Sequence, residues 1–559
     1  MPRASAWRSS PRVGAWQSTP SPIAHVSRKA KAVAIAIVVA TPIAIAGCSK
    51  APVTGSVDPP KLRQSIRGEP ASLDPQRAGD VFSFEVLRDL FEGLTSESAS
   101  GEVIPGAAST WSVSPDGLRY EFILRPNGRW SNGDIVTADD FVAALQRAVD
   151  PATASPGAEL LEPIRGARSI IAGKAPPTAL AVRAEGGEKL TIELEAPAPY
   201  FPSILANSVA YPQYRGDRGR IAGGREPVIS NGAYRLVEWQ PGAKITLRRN
   251  EHYWDAAHVA IPTVEYFPVP DSTTEVARYR ADELDVTSSV PAQQVSALRA
   301  SMPQELQIRP QLAVVYYAFN LARPPFKDSP QLREALTIAI DRERLTTQVT
   351  GAGEVAAYSF VPPGIPGYAD AGYAWRHEPA ESRVARARAL YRAAGYSSER
   401  PLKLRLVHPA DDGLRRVAIA VAAMWHEALG VDTTLTDLEY RAFLSTRDDH
   451  DRWDVLSHGW NADYPDPGNF LGIFTAASPQ NDSKLADHEF DRLMVKAAAD
   501  PDGAQRLEEL AAAERRLLDD YAVAPLYFVV SRRLVKPRVE GAVLAPMNHN
   551  YSKYLRLKN

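Results

Sequence analysis

The sequence predicts a mixed α/β protein with more than one lobe. The chain has 559 residues, which is more than one ordinary hydrophobic core accommodates. Short runs that alternate apolar and polar residues are distributed among longer runs of helical periodicity, the pattern of strands and helices shared by several lobes. The composition is that of a globular protein, 45% hydrophobic and 23% charged.

The N-terminal segment has the features of an export signal. A basic stretch from Lys29 precedes about 15 apolar residues and then small residues, so residues 1–47 are expected to be a signal peptide. The ending Ile45-Ala46-Gly47-Cys48 resembles a bacterial lipobox, which implies that Cys48 is lipidated and becomes the first residue of the mature chain. The alternatives are an ordinary signal peptide with an accidental cysteine, or a short membrane span, against which Pro42 argues.

The residues on either side of this segment add three expectations. The basic residues before Lys29 spread over an unusually long stretch, which favours a true start near Val26. Residues 48–60 have no apolar period and are expected to be a flexible lipidated tether. Ser49 follows the cysteine where enteric lipoproteins retained in the inner membrane carry an acid, so the outer membrane is favoured.

The body of the chain contains recognisable elements in order. Residues 120–125 and 190–195 alternate apolar and polar residues, as half-buried strands do. Residues 137–147 begin with the capping residue Thr137, carry acids in the first turn and repeat apolar residues at helical spacing. Further helices are predicted at 331–340, 382–394, 414–429 and 504–518.

Charge and cysteine usage exclude several classes. The net charge is −2 with both signs interspersed, so no basic stripe for nucleic acid is present. Cys48 is the only cysteine, and an exported domain of this size does not need disulfides. The ten histidines are scattered, and neither a metal site nor a cofactor is predicted.

Motifs for catalysis are incomplete. Residues 166–174 resemble a phosphate-binding loop, but the spacing is wrong and Ala175 stands where a hydroxyl is required. His426-Glu427 lacks the second histidine of a zinc helix, because position 430 is Gly430. No Gly-x-Ser-x-Gly elbow occurs. The protein is therefore not expected to be an enzyme, and a secreted hydrolase is kept as the alternative from another class.

Several short strings stand in one order and spacing along the chain. They are Leu73-Asp74-Pro75, residues 88–93, residues 130–134 followed by 137–141, residues 150–156, residues 231–234, Asn250 with Tyr253-Trp254, and residues 459–464. Together they resemble the oligopeptide-binding proteins that feed ABC importers, solute-binding family 5, over about residues 62–536. Each string also fits a turn or a core position, so most of them are expected to serve the fold and not the ligand.

The resemblance implies a three-lobed periplasmic-binding-protein fold of type II with an extra domain. The ligand would lie between domains I and III, and the strands that cross between these lobes would form a hinge. The implied segments are 61–91, 214–311 and 527–559 for domain I, 92–213 for domain II, and 312–526 for domain III.

The resemblance also implies a binding site. Backbone near Asp80, Val81 and Phe82 would flank a bound peptide as a strand on one side, and backbone near residues 459–461 would do so on the other. Asp463 would meet the α-ammonium of the peptide. The alternative for Asp463 is a turn acid, and Asp466 is interpreted as a turn residue only. The full set of expected ligand-binding residues is Asp463, Trp460, Asn461, Gly459, Val81, Asp80, Phe82, Tyr316, Tyr440 and Arg447.

Some positions depart from the family pattern. Thr350, Leu414 and Ser457 stand where close relatives place cations that reach a peptide carboxylate, whereas Arg447 is retained. Tyr440 replaces a tryptophan. The carboxyl end of the site therefore looks rewritten, which makes longer, C-terminally modified or murein-type peptides as plausible as short free ones.

The resulting expectation is a monomeric, lipid-anchored receptor in the periplasm that delivers oligopeptides to ABC permease subunits. Nickel chelates, haem and sugars, which some relatives carry, remain open as alternative ligands of the same fold.

Overall fold

The computed structural model describes residues 60–215, 228–369 and 371–558, so the predicted signal segment and Cys48 lie outside the described residues. In these ranges the strands are β1 (Lys61–Ile66), β2 (Thr95–Glu97), β3 (Val103–Pro105), β4 (Ala108–Val113), β5 (Arg119–Leu124), β6 (Val182–Glu185), β7 (Lys189–Glu193), β8 (Tyr234–Gln240), β9 (Lys244–Arg249), β10 (Thr263–Pro268), β11 (Leu306–Phe319), β12 (Val355–Ala356), β13 (Lys403–Pro409), β14 (Asp432–Leu438), β15 (Val455–Asn461), β16 (Val523–Leu534), β17 (Val539–Glu540) and β18 (Arg556–Leu557).

The α-helices in the same ranges are α1 (Val81–Leu90), α2 (Ala138–Val149), α3 (Ala167–Ile171), α4 (Phe201–Ile204), α5 (Ser272–Arg280), α6 (Val295–Ser301), α7 (Pro330–Ile338), α8 (Arg342–Arg344), α9 (Ala380–Ala393), α10 (Asp412–Leu429), α11 (Tyr440–Arg447), α12 (Pro467–Leu471), α13 (His488–Ala499) and α14 (Gly503–Asp520). None of the helices within the described ranges has both the length and the apolar character of a membrane span.

The predicted elements are confirmed to within a few residues. β5 and β7 cover the two alternating runs, and α7, α9, α10 and α14 cover the four later helical runs. α2 begins after Thr137, whose backbone N–H donates to the Asp140 carboxylate at 2.9 Å. This contact satisfies a donor that has no partner inside the helix, which is why the local sequence sufficed to place the helix start.

The larger sheets of the described residues divide the molecule. One sheet has six strands in the order β12-β16-β11-β15-β13-β14, and two have four strands in the orders β1-β10-β9-β8 and β4-β5-β7-β6. One hydrophobic core surrounds the six-stranded sheet, and a second runs through both four-stranded sheets. The segments expected as domains I and II thus share a core, and the domain boundaries given above remain predictions.

β11 and β16 run between two regions of the core. They pair antiparallel from Leu306↔Leu534 to Ala318↔Val523. Leu534 belongs to a small third core with α5 and α6, whereas the other end of the pair lies in the core of the six-stranded sheet. The register is irregular between Pro310 and Val314, where Pro310 has no N–H to donate, and again between Val315 and Tyr316, so the ladder is interrupted there.

Three of the sequence strings meet at Glu92. The Tyr253 hydroxyl and Trp254 Nε1 donate to its buried carboxylate at 2.6 Å each, and Lys553 Nζ lies 2.9 Å away. The Asn231 side chain hydrogen-bonds the backbone of Glu92 in both directions, at 3.1 and 2.8 Å. Burial opposes the Lys553 ammonium, but Glu92, Tyr253 and Tyr554 together outweigh burial and raise the pKa of Lys553. These strings therefore serve the fold, as their turn and core character indicates.

Candidate ligand-binding site

The C-terminal half of β15 is an unpaired strand edge. β15 pairs with β11 from Val455 to Asn461, whereas its other neighbour, β13, pairs only with Val455 and Leu456. From Ser457 onward, β15 therefore has a strand on one side only, within the part of the chain that the structure describes. Such an edge is a template for a further strand.

The ladder shows which backbone groups of this edge are unused. Ala462 N–H donates to Leu312 C=O at 2.9 Å. Backbone groups in an antiparallel ladder alternate in direction, so Trp460 faces β11, and the N–H and C=O of Gly459 and Asn461 face away from it. Both residues are exposed, and their backbone groups have no hydrogen-bond partner among the described residues.

Asp463 lies directly beyond this edge and is held by Asn469. The Asn469 side chain donates to Asp463 Oδ2 at 3.2 Å, and its Oδ1 accepts from Asp463 N–H at 3.1 Å and from Trp460 Nε1 at 3.0 Å. Asp463 is exposed, yet surrounding protein partly desolvates the carboxylate and raises its pKa, against the opposing hydrogen bond from Asn469. No cation lies within ion-pair distance of Asp463 in the described part of the chain. Asp463 is thus an accessible, partly desolvated acid suited to receive an ammonium group.

The loop after Asp463 is fixed by two further contacts. Asp466 caps α12 through the N–H of Gly468 at 2.8 Å and forms a buried two-point ion pair with Arg506 at 2.7 and 2.8 Å. Tyr464 stacks on Tyr200, with ring centroids 4.5 Å apart and planes 8° from parallel. Asp466 is therefore structural, as expected, and the loop holds Asp463 in place.

Sequence reasoning missed Asn469, Arg506 and Tyr200. Only Asn469 had a local signal, because Asp466-Pro467 is a helix start that places residue 469 in the first turn.

The expectation of a peptide-flanking strand at Asp80, Val81 and Phe82 is wrong. Val81 and Phe82 begin α1, and Asp80 is its N-cap: Oδ1 accepts from Ser83 N–H at 2.8 Å and Oδ2 from Ser83 Oγ at 2.6 Å. The orphan N–H groups of the first turn explain this use of the carboxylate. Phe82 packs over Gly68, whereas Val81 is 61% exposed and remains available to a ligand.

Tyr316 has no exposed surface, which contradicts its assignment as a ligand contact. Its ring packs against Phe360 and Phe474, at centroid distances of 4.9 and 6.0 Å. Its hydroxyl lies 3.2 Å from Nδ1 of His458, a residue that sequence reasoning did not single out.

Arg447, the cation expected to be retained near the carboxyl end, is engaged with acids. Arg447 Nε lies 3.5 Å from the buried Asp482 and 3.1 Å from Asp448. His458 Nδ1 lies 2.7 Å from the same Asp482. Ser457 is buried, so it offers a ligand nothing in this conformation.

Two further residues near this end, Arg415 and Tyr440, differ in whether they are available to a ligand. Arg415 pairs with Asp437. Tyr440, by contrast, is 61% exposed at the start of α11 and stacks on Phe443. This end of the site thus offers an aromatic surface, and its cations Arg447 and Arg415 are already paired.

The described residues contain no cluster of three or more histidine, cysteine, aspartate or glutamate side chains arranged to hold a metal ion.

The chain is similar to known binding proteins over most of its length. It is 36% identical to the periplasmic murein peptide-binding protein MppA of Escherichia coli K12 over 86% of this chain and 90% of that protein. It is also 36% identical to the periplasmic oligopeptide-binding protein OppA of Salmonella typhimurium LT2, over 89% and 92%. The probable deoxycholate-binding periplasmic protein YgiS of Escherichia coli K12 is again 36% identical, over 89% and 93%.

A solved structure and a family model agree with these relatives. The solved structure of the periplasmic murein tripeptide-binding protein MppA in its unliganded open form superposes with a TM-score of 0.81 at 34% identity, covering 89% of this chain and 98% of that one. The model of the bacterial extracellular solute-binding proteins, family 5 Middle, matches residues 102–482. The predicted resemblance and fold class are thus confirmed, and the chain belongs to family 5 of the bacterial extracellular solute-binding proteins.

Proposed function

We propose that this solute-binding protein is a non-catalytic receptor that binds peptides in an extended conformation and delivers them to the permease of an ABC importer. The observation that carries the proposal is an edge of β15 that, among the described residues, has no paired strand and ends at an acid with no counter-ion. The relatives named for peptide binding supply the ligand class.

The free edge of β15 can bind the peptide backbone, which all peptides share. An extended peptide that adds as a strand pairs its backbone with the free N–H and C=O of Gly459 and Asn461, whatever its side chains are. Asp463, two residues beyond Asn461, receives the α-ammonium. Binding then supplies the counter-charge that the partly desolvated carboxylate lacks in the ligand-free protein.

The C-terminal end of the ligand is bound without a dedicated ion pair. Arg447 and Arg415 are already paired with acids, so a ligand carboxylate has to compete with these pairs. The exposed ring of Tyr440 offers apolar contact instead, which favours peptides that continue beyond the site or carry a modified C-terminus.

Closure of the lobes traps the ligand. The irregular stretch of β11 between Pro310 and Val314, where the ladder with β16 is interrupted, supports a hinge at this point. Val81 of α1 is the exposed apolar residue that would meet the ligand from the opposite lobe. Only the closed form makes both sets of contacts, so the ligand shifts the equilibrium towards closure.

The backbone role of Asn461 is tested by a matched pair of variants. Asn461→Ala keeps the N–H that faces the free edge, whereas Asn461→Pro removes it at an edge position where proline is tolerated. We expect Asn461→Pro to bind a peptide more weakly than Asn461→Ala by about 1–3 kcal/mol, the cost of leaving one buried partner unpaired. Calorimetry measures both affinities, with thermal unfolding as the control for folding. Equal affinities of the two variants would exclude strand addition at this residue.

The polarity of the site is tested with one peptide in free, N-acetylated and C-amidated forms. Asp463→Asn should weaken the free peptide by about 2–5 kcal/mol, the range for removing one member of a buried charge pair. The same change should hardly affect the acetylated peptide, and amidation should cost under about 1 kcal/mol. If amidation costs more than acetylation, the proposed polarity is reversed. If deoxycholate binds and no peptide does, the ligand class is wrong.

Replacing Asp463 should weaken peptide binding but should not lower the stability of the ligand-free protein. Desolvation raises the pKa of Asp463 above its ordinary 3.8, so the ionised group destabilises the fold at neutral pH. Asp463→Asn should therefore be at least as stable as wild type at pH 7. The difference should shrink as the pH falls through the raised pKa and vanish below 3.8. Urea unfolding across this range measures it, and a large loss of stability at pH 7 would show that Asp463 is structural.

We further propose that Cys48 is lipidated and holds a monomeric receptor on the periplasmic side of a membrane, with the outer membrane favoured because Ser49 follows it. Acyl chains contribute about 0.8 kcal/mol per buried CH₂, so loss of the lipid should release the protein. Cys48→Ser should move the protein from the membrane fraction to the soluble fraction and leave peptide affinity unchanged. An unchanged membrane fraction would reject the anchor.

A further inference from the structure

A cavity of about 50 Å³ lies between β1, α1, β16 and the C-terminal segment. Its wall includes Ser65, Glu85, Arg533 and Asn550. None of the residues expected above to bind the ligand lines it. Glu85 follows the exposed Val81 by one helical turn, so the two residues lie on the same face of α1.

Other polar side chains of the wall are hydrogen-bonded to neighbouring residues. Gln64 Nε2 donates to Ser552 Oγ at 3.0 Å, the Tyr266 hydroxyl donates to Asp89 at 2.8 Å, and Ser288 Oγ donates to Glu275 at 2.7 Å. The carboxylate of Glu85 differs, because it has no hydrogen bond and no ion pair with any described residue.

Arg533 is a cation of the cavity wall whose hydrogen bonds all go to neutral groups. Its buried guanidinium donates to Asn550 Oδ1 at 2.6 Å, to Val543 C=O at 3.1 Å and to Gln307 Oε1 at 3.3 Å, all of them neutral acceptors. No carboxylate lies within ion-pair distance of Arg533 in the described ranges. Its neighbour Arg532, by contrast, pairs with Glu354.

Glu85 and Arg533 interact electrostatically, although they form no hydrogen bond or ion pair with each other. Desolvation raises the pKa of Glu85 to about 7, Glu275 adds to the rise, and Arg88, Arg533 and Arg67 oppose it. Desolvation likewise lowers the pKa of Arg533 to about 10, against the field of Glu85. An acid and a base that are both desolvated and held apart are each left short of a partner.

We propose that this cavity binds a zwitterionic group, with Glu85 receiving its ammonium and Arg533 its carboxylate. A ligand with one charge would pair only one of the two side chains, and a neutral ligand would pair neither. The inference rests on the proposed function, since it assigns the cavity to a peptide side chain that ends in both an amine and a carboxylate.

Tripeptides with one variable residue test the proposal on the wild-type protein. The variable residue is 2,6-diaminopimelate, which adds both charges, or glutamine, which is neutral. Lysine, which adds only the amine, and glutamate, which adds only the carboxylate, are the intermediate cases. Alanine fills the other positions, and each position is varied in turn. At one position the diaminopimelate peptide should bind about tenfold or more tighter than the glutamine peptide, with lysine and glutamate between them. Equal affinities at every position would overturn the cavity assignment and leave peptide binding intact.

The variant Glu85→Gln identifies the group that is responsible. It should remove the gain from the ammonium and leave the affinity for the glutamine peptide unchanged, whereas the exposed control Glu188→Gln should change neither. Calorimetry in buffers of different ionisation enthalpy adds a readout that a purely structural role would not move. Wild type should release a proton at pH 7 when the diaminopimelate peptide binds, and Glu85→Gln should not. Release that persists in Glu85→Gln would overturn the role of Glu85.

A failure of all peptides to bind would reject the proposed function and would still leave the cavity testable. Crystals are then soaked with free 2,6-diaminopimelate. Density that bridges Glu85 and Arg533 would support the zwitterion site, and an empty cavity would overturn it.

Discussion

The antiparallel pairing of β11 with β16 is the constraint on which the candidate site and the cavity both depend. At one end it places Arg533, which lines the cavity, opposite the uncharged Gln307. At the other end it makes β11 an interior strand, whose second edge is occupied by β15. The β11 register then decides which backbone groups of β15 are used and which remain free. A slip by one residue would turn the free groups of Gly459 and Asn461 inward.

The protein treats its desolvated charges in two ways. Around Glu92 each donor and acceptor is matched, and the Lys553 ammonium is held by its carboxylate. Asp463, Glu85 and Arg533 are instead desolvated, and no opposite charge of the described residues lies at contact distance from them. Such groups lower the stability of the ligand-free fold, and perturbed, unpaired charges concentrate at functional sites. This contrast within one molecule is the physical basis on which Asp463, Glu85 and Arg533 are proposed as ligand contacts.

The misassigned residues show how local chemistry competes with family analogy. Asp80 is followed by a helix, and the first turn of any helix needs acceptors for its unpaired N–H groups. The side chain of Asp80 meets that need at Ser83, so its carboxylate is not free for a ligand. Tyr316 was expected at the site because its position matches the family, but the neighbouring rings of Phe360 and Phe474 cover it completely.

The sequence by itself determined the local elements, since periodicity and capping act within a few residues: α2 begins where Thr137 indicates, and β5 and β7 lie where apolar and polar residues alternate. The short sequence strings that carry the family resemblance could also be recognised from the sequence, and one of them contains Asp463. Only the tertiary structure decided which charges are paired. Arg447 meets Asp482, 35 positions away in the chain, whereas Glu85 meets no partner at all among the described residues. Electrostatic pairing depends on distances through space, and neither hydrophobic periodicity nor local propensity encodes those distances.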